Sequence, residues 1–179
     1  MRLERLAADV SRHCALERAW FEILGGWVPT TADPEVKLQF AQQSHHHAWH
    51  AELWAGCFPD AYGFDLESAC RAATSQLAPF LDACRAESDG VGRLVAAYRI
   101  VGTAKIAAYD AWADQLDDVG AGATRRWLEK ILADEIADLR AGLGLLSRRL
   151  QDGSAVANAA SRQVRLESLL WEAGGVSGR

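Results

Sequence analysis

Residues 36–57 read VKLQFAQQSHHHAWHAELWAGC and hold four of the five histidines in the chain, at positions 45, 46, 47 and 50. Taken in steps of four and three, one line along a helix is Val36, Phe40, Gln43, His47, His50, Trp54, Cys57. Both ends of that line are apolar, and its middle is Gln, His, His. A helix lays its apolar line against its neighbours, so the spacing turns His47 and His50 inward with Gln43 beside them. His45 falls on the opposite side and His46 on the flank. The pair at i, i+3 therefore carries more meaning than the triplet.

Working outward, the same periodicity divides the rest of the chain into helices. The first covers 3–25, with Leu3, Leu6, Val10, Cys14, Glu17, Phe21 and Leu24 in line, and is closed by Gly25-Gly26. The histidine helix covers 34–58, capped by Asp33 with Pro34 at its first position and stopped at Pro59. A helical stretch over 66–86 is expected to be interrupted at Pro79, which would kink or break it. A third long helix covers 91–117 through Val91, Leu94, Tyr98, Val101, Lys105, Ala108 and Trp112. Gly120–Gly122 separates it from a fourth, 123–150, through Leu128, Ile131, Glu135, Asp138, Gly142 and Leu145. A last helix, 155–173, places Val156, Val164, Leu169 and Leu170 on its apolar side, and Gly174–Arg179 reads as a frayed end. The expectation is one all-α domain over residues 1–179. It has four long antiparallel helices, a crossing segment between the second and third, and an added C-terminal helix.

Each long helix repeats one anomaly. Near its middle the apolar line carries an ionisable residue: Glu17, then His47 and His50, then Lys105, then Glu135 and Asp138. At about 100° per residue these positions sit at the centre of their apolar faces. Taken singly, each has an ordinary explanation, such as a core histidine bonded to a carbonyl or a lysine reaching out to water. Six at comparable heights are stable inside a core only if they meet one another or a metal ion.

This pattern resembles the ferritin-like di-iron carboxylate bundles, which place one Glu on each of two helices and Glu-x-x-His on each of the other two. Glu17 matches the lone Glu of the first helix, and His47-Ala-Trp-His50 matches the first Glu-x-x-His. Lys105 stands where the second lone Glu belongs, and Glu135-Ile-Ala-Asp138 where the second Glu-x-x-His belongs. Glu17 to His47 and Lys105 to Glu135 are both 30 residues apart. The resemblance covers about residues 3–150 and implies a degenerate member. His47 replaces a carboxylate, Asp138 a histidine, and Lys105 puts a cation where a ligand would be.

Charge limits what such a site holds. Glu17, Glu135 and Asp138 against Lys105 leave two negative charges, which one divalent ion or two protonated imidazoles would cancel. A second ion would find too few bridging oxygens. The resemblance therefore implies at most one Fe, Mn or Zn on Glu17, His47, His50, Glu135 and Asp138, or a metal-free salt-bridge cluster with Lys105. The first case corresponds to a non-haem oxidoreductase or oxygenase acting on a small molecule. The second is an accessory or scaffold protein, as the inactive ferritin-like subunits of phenylacetyl-CoA oxygenase assemblies are. Leu169, Leu170 and Trp171 give the last helix more apolar surface than a cap needs, which suits a homodimer or a ferritin-like partner.

Composition narrows the classes further. A net charge of -5 and a pI of about 5.5 give no basis for nucleic acid or an anionic membrane as partner. No apolar run approaches the roughly 20 residues of a membrane span. The N-terminus MRLERLAADV has no signal-peptide core. Cys14, Cys57, Cys70 and Cys84 lack metal-type spacing, so reduced thiols and a cytoplasmic location are expected. Sixteen arginines against three lysines suit a bacterial source with a GC-rich genome. There is no Gly-rich phosphate loop, Cys-x-x-Cys or nucleophile elbow. Gly142-Leu143-Gly144 reads as a place of close helix approach, and Arg148-Arg149 as a solvated helix end.

Overall fold

The structure, a computed structural model, describes residues 3–61, 63–116 and 122–178, and among them there are six helices and no strand. Helix α1 is Leu3–Trp27, followed by a 3-10 turn at Val28–Thr30; α2 is Pro34–Cys57 and α3 is Leu66–Arg85. Helix α4 runs over 90–113 in three consecutive segments: α-helical Gly90–Leu94, π-helical Val95–Gly102 and α-helical Thr103–Ala113. Helix α5 is Gly122–Ser147 and α6 is Gly153–Glu172. Four of the six starts are fixed by Asp caps. The carboxylates of Asp33, Asp65, Asp89 and Asp152 accept from backbone N–H groups in the first turns of α2, α3, α4 and α6. The expected third-helix end at 117 and the turn residue Gly120 lie outside the described residues.

Side-chain pairings give the directions of the helices. Cys14 meets Ala51, Glu17 meets His47, and Ser44 meets Phe21, so α1 and α2 run opposite ways. Lys105 meets Glu135 and Tyr98 abuts Gly142, so α4 and α5 do the same. His46 and His50 meet Asp138 and Asp134 across α2 and α5. His13 meets Trp112 and Glu17 meets Lys105 across α1 and α4. By contrast, α2 and α4 run the same way, pairing His47 with Lys105 and Trp54 with Trp112. Helix α3 makes this possible by carrying the chain back along α1 to the start of α4, with α6 packed on α3 and α4. The tight α4–α5 contact is made where a Cβ on Gly142 would lie 2.3 Å from the Tyr98 ring, the close approach expected there.

Several expectations are corrected. Pro79 lies inside α3 without ending it. Cys70, Ala73, Leu77, Phe80, Leu81 and Cys84 form a buried line on both sides of it, and their burial outweighs the lost hydrogen bond. On α1 the inner line passes from Glu17 to Trp20 and Leu24, leaving Phe21 46% exposed. On α6 the buried residues are Ala159, Leu166 and Leu170, while Val156 and Val164 face outward. The end of the chain through 178 is anchored, not frayed. Gly174 and Gly175 adopt positive φ, and the Arg12 guanidinium donates to the carbonyls of Ala173, Gly175 and Val176 at 2.6–2.9 Å. Arg148 and Arg149 pair with Glu35 and Asp33 at the start of α2. Around Val95–Gly102 nearly every α4 residue is buried, because α5 covers one side and α6 the other.

Candidate functional site

Glu17, His47, His50, Lys105 and Glu135 meet at mid-height between α1, α2, α4 and α5, each at most 1% exposed. Apolar residues flank each of them along its helix: Cys14 and Trp20 on α1, Phe40 and Trp54 on α2, Val101 and Trp112 on α4, Ile131 on α5. These fix the helical phase, so the polar group has no direction but inward. The phase read from the sequence holds: His47 is buried and His45 exposed.

Lys105 is the centre of the cluster. Its Nζ lies 2.8 Å from Glu17 Oε1 and 2.5 Å from Glu135 Oε1, joining carboxylates from different helices. It is also 3.2 Å from His47 Nδ1. That nitrogen makes a short contact with Glu17 Oε2, and because a carboxylate oxygen only accepts, Nδ1 carries the proton and donates it there. Glu17 Oε1 takes a further hydrogen bond from the Tyr109 hydroxyl at 2.6 Å. Glu17 is therefore held by three donors from three residues. His50 Nδ1 lies 3.4 Å from Glu135 Oε1 and 3.9 Å from Glu17 Oε2, within ion-pair range but not aligned as a hydrogen bond. His50 Nδ1, Glu135 Oε2 and the buried Gln43 Oε1 make no hydrogen bond among the described residues.

The charges sustain one another against burial. Desolvation opposes ionisation of Glu17, yet Lys105 and the two imidazoles hold its carboxyl well below the ordinary range. Desolvation likewise works against Glu135, whose carboxyl Lys105 and His50 bring down to about 2. For Lys105, burial favours the neutral amine, but Glu135 and Glu17 outweigh it and raise the ammonium above its usual value. His50 behaves in the same way: burial lowers it and the Glu135 and Glu17 carboxylates raise it further. Tyr109, desolvated and facing Glu17, is pushed far up and stays a phenol.

Asp138 lies one turn along α5 and is 2% exposed, but its contacts lie elsewhere. Its Oδ2 is 2.7 Å from His46 Nδ1, and its Oδ1 accepts from Gln39 Nε2 at 3.3 Å. His46 thus bends from the flank to cover the cluster, its ring 6.2 Å from that of His50. The other side of His50 faces Asp134, with Nε2 at 3.4 Å from Oδ2, and Lys130 pairs with Asp134 at 2.6 Å. Tyr109, Asp134, His46 and Gln39 are the neighbours that the inner lines did not single out. Tyr109 had a signal, being one turn beyond Lys105 on the same face. His46 and Asp134 sit on helix edges, where periodicity does not select.

The donor set can be compared with what a metal requires. One atom from each of Glu17, His47, His50 and Glu135 lies within 4.8 Å of the others, and imidazole with carboxylate suits Fe, Mn or Zn. The group could hold one ion. It does not fit two, since one of the Glu17 and Glu135 oxygens on each side already faces the Lys105 ammonium. With Asp138 facing His46, the inner cluster has two carboxylates against the Lys105 ammonium, and those carboxylates favour the protonated form of the neighbouring His50. Comparison of the chain with known families, characterised proteins and solved structures finds no match.

Proposed function

We propose that this chain is a degenerate ferritin-like bundle whose interior metal site has become a salt-bridge cluster, and that it serves as an accessory or scaffold protein. The observation that carries the reading is the position of Lys105 Nζ, in contact with one oxygen each of Glu17 and Glu135. A metal in such a bundle would bridge carboxylates from opposite helix pairs, and here an ammonium of the chain itself makes that bridge. Helix directions support the family reading, because α2 and α4 run parallel with α3 crossing between them. Val156, Val164 and Trp171, exposed on α6 at 47, 64 and 84%, suit a homodimer or a ferritin-like partner protein. Light scattering that gives a monomer at high concentration would count against the homodimer.

A second reading has its own observation. Glu135 Oε2 and His50 Nδ1 are buried without hydrogen bonds, and one divalent ion on Glu17, His47, His50 and Glu135 would take up both. Such a bundle would be a metal-dependent oxidoreductase acting on a small molecule, the ion supplying Lewis-acid or redox chemistry. In it Lys105 would hold Glu17 and Glu135 in place, and Tyr109 would donate to Glu17. Elemental analysis of protein purified without chelators separates the two. The scaffold reading expects well under one equivalent of Fe, Mn or Zn and a melting temperature unaffected by a chelator. One equivalent, lost together with stability on chelation, would establish the second reading instead.

A further inference from the structure

Two features of α4 and α6 are left unused by the inner cluster. One is the π-helical segment Val95–Gly102, a geometry that is rare and gathers at functional sites. Every residue of it is buried except Arg99. The other is Trp171, whose indole is 84% exposed near the end of α6. Both border one groove of about 730 Å³, formed by α4, α6 and the chain beyond α6 at Gly175 and Val176. A volume of this order suits a small organic molecule. The groove shares no residue with the inner cluster, so what it binds is independent of whether that cluster holds a metal.

The lining divides into an apolar floor and a polar rim. Ile100, Leu170 and Val176, 2, 6 and 4% exposed, come to the floor from three parts of the chain. Trp171, Glu167 and Glu172, all exposed, form the rim. Neither carboxylate has a cationic partner among the described residues. Glu167 accepts from the neutral amide of Gln163 at 2.9 Å, and Glu172 makes no ion pair or hydrogen bond among those residues. The one cation of the lining, Arg99, donates to Gln163 at 3.3 Å, a residue outside the lining. Two carboxylates against one guanidinium leave the groove with a net negative charge.

We infer that this groove is a binding site for a small organic cation with an apolar body. The body lies on Ile100, Leu170 and Val176, where contact removes apolar surface from water on both sides. The cationic head stays at the rim against the face of Trp171, whose ring quadrupole attracts it. Glu167 stands one turn before Trp171 on α6 and Glu172 directly after it, so both carboxylates flank the same ring and add to the attraction. A methylated ammonium suits such a rim, because it needs no hydrogen bonds and the rim offers few fixed ones. Val156 and Val164, the other exposed apolar residues of α6, lie outside the lining, so the groove gives Trp171 a use of its own.

The test titrates the full chain at low salt with benzyltrimethylammonium and, separately, with benzoate, following the heat of binding. The cation should bind at one site with a dissociation constant below about 1 mM, and benzoate should not saturate at concentrations about ten times higher. Trp171→Ala should weaken binding of the cation about tenfold. Glu167→Gln combined with Glu172→Gln should weaken it about fivefold and remove most of its salt dependence. All three residues are exposed, so these variants keep the fold. Nuclear Overhauser effects should join the probe's methyl groups to the Trp171 indole, and its ring to the methyl groups of Ile100 and Val176. No saturable binding of the cation would overturn the site, and benzoate binding as tightly would overturn the charge class. Unchanged affinity in Trp171→Ala, or Overhauser effects to other residues, would overturn the location.

Discussion

Replacing Lys105 with Met keeps the length and most of the volume of a side chain that is 0% exposed, and removes only the ammonium. Glu17 and Glu135 would then face each other across the core without their shared cation, now 2.8 and 2.5 Å from their oxygens. Removing one partner of a buried ion pair costs about 3–5 kcal/mol, most of it from the charge left behind. Lys105 is the largest of the charges that hold Glu135 at about 2 against an ordinary 4.5, with His50 and His47 adding to it, so a large part of that stabilisation goes with the ammonium. For a domain of this length the melting temperature should fall by about 10 °C or more.

The pH dependence should also change. In the wild type both carboxylates are depressed. Their contribution is therefore complete above the unfolded value of about 4.5 and is lost only as pH falls further, toward the folded values. In Lys105→Met, desolvation is opposed only by the imidazoles of His47 and His50 and the Tyr109 hydroxyl, so both carboxyls should move upward from their wild-type positions. The cost is then greatest at neutral pH and shrinks as pH falls toward about 5 and the carboxyls take up protons. Urea denaturation of both proteins between pH 5 and 7.5 measures the gap. A gap below about 1 kcal/mol at pH 7, or one that does not narrow toward pH 5, would refute the view that Lys105 holds the cluster together.

Three further outcomes are expected. Tyr109→Phe removes a 2.6 Å hydrogen bond to ionised Glu17 and should cost about 1.5–3 kcal/mol in urea denaturation with little change in volume. Gly142→Ala puts a methyl group 2.3 Å from the Tyr98 ring; about 1–3 kcal/mol of destabilisation is expected, and a neutral effect in thermal melts would deny the close helix contact. On the proposed ferritin-like reading Lys105→Glu places a carboxylate where a metal-binding bundle would have one, so its melting temperature should rise with added Fe or Mn while that of the wild type stays constant.

Much of this was legible because the informative residues lie on inner lines. Val36, Phe40, Gln43, His47, His50 and Trp54 share one helix face, and all six are buried. The reading of α1 slipped after Glu17 for the same geometric reason that it worked before it. Steps of three and four both satisfy the period, and only packing chooses Trp20 over Phe21. Pro79 misled because its local cost is fixed, whereas the burial that offsets it comes from α1 and α6, distant in sequence. Asp138 shows the limit most clearly. Periodicity placed it correctly inside, but its choice of His46 and Gln39 depends on side chains reaching across from the edge of α2. The π-helical segment left no signal at all, since Tyr98, Val101 and Lys105 keep ordinary helical spacing through it.

The two halves of the cluster suggest why it needs no symmetry. Glu17 touches His47 and Lys105 touches Glu135, each pair 30 residues apart on consecutive long helices. If both halves carried Glu at the first position, the core would gather like charges that only bound cations could neutralise, and folding would be linked to metal. Exchanging one Glu for Lys makes the halves complementary. The acid of the first half meets the ammonium of the second, and the ammonium also meets its own partner Glu135. The pair α1–α2 is thereby bound to α4–α5 through charges the chain itself supplies. On the proposed scaffold reading, a single residue separates a bundle that a metal would have to hold together from one that holds itself together, and Lys105→Glu runs that change in reverse.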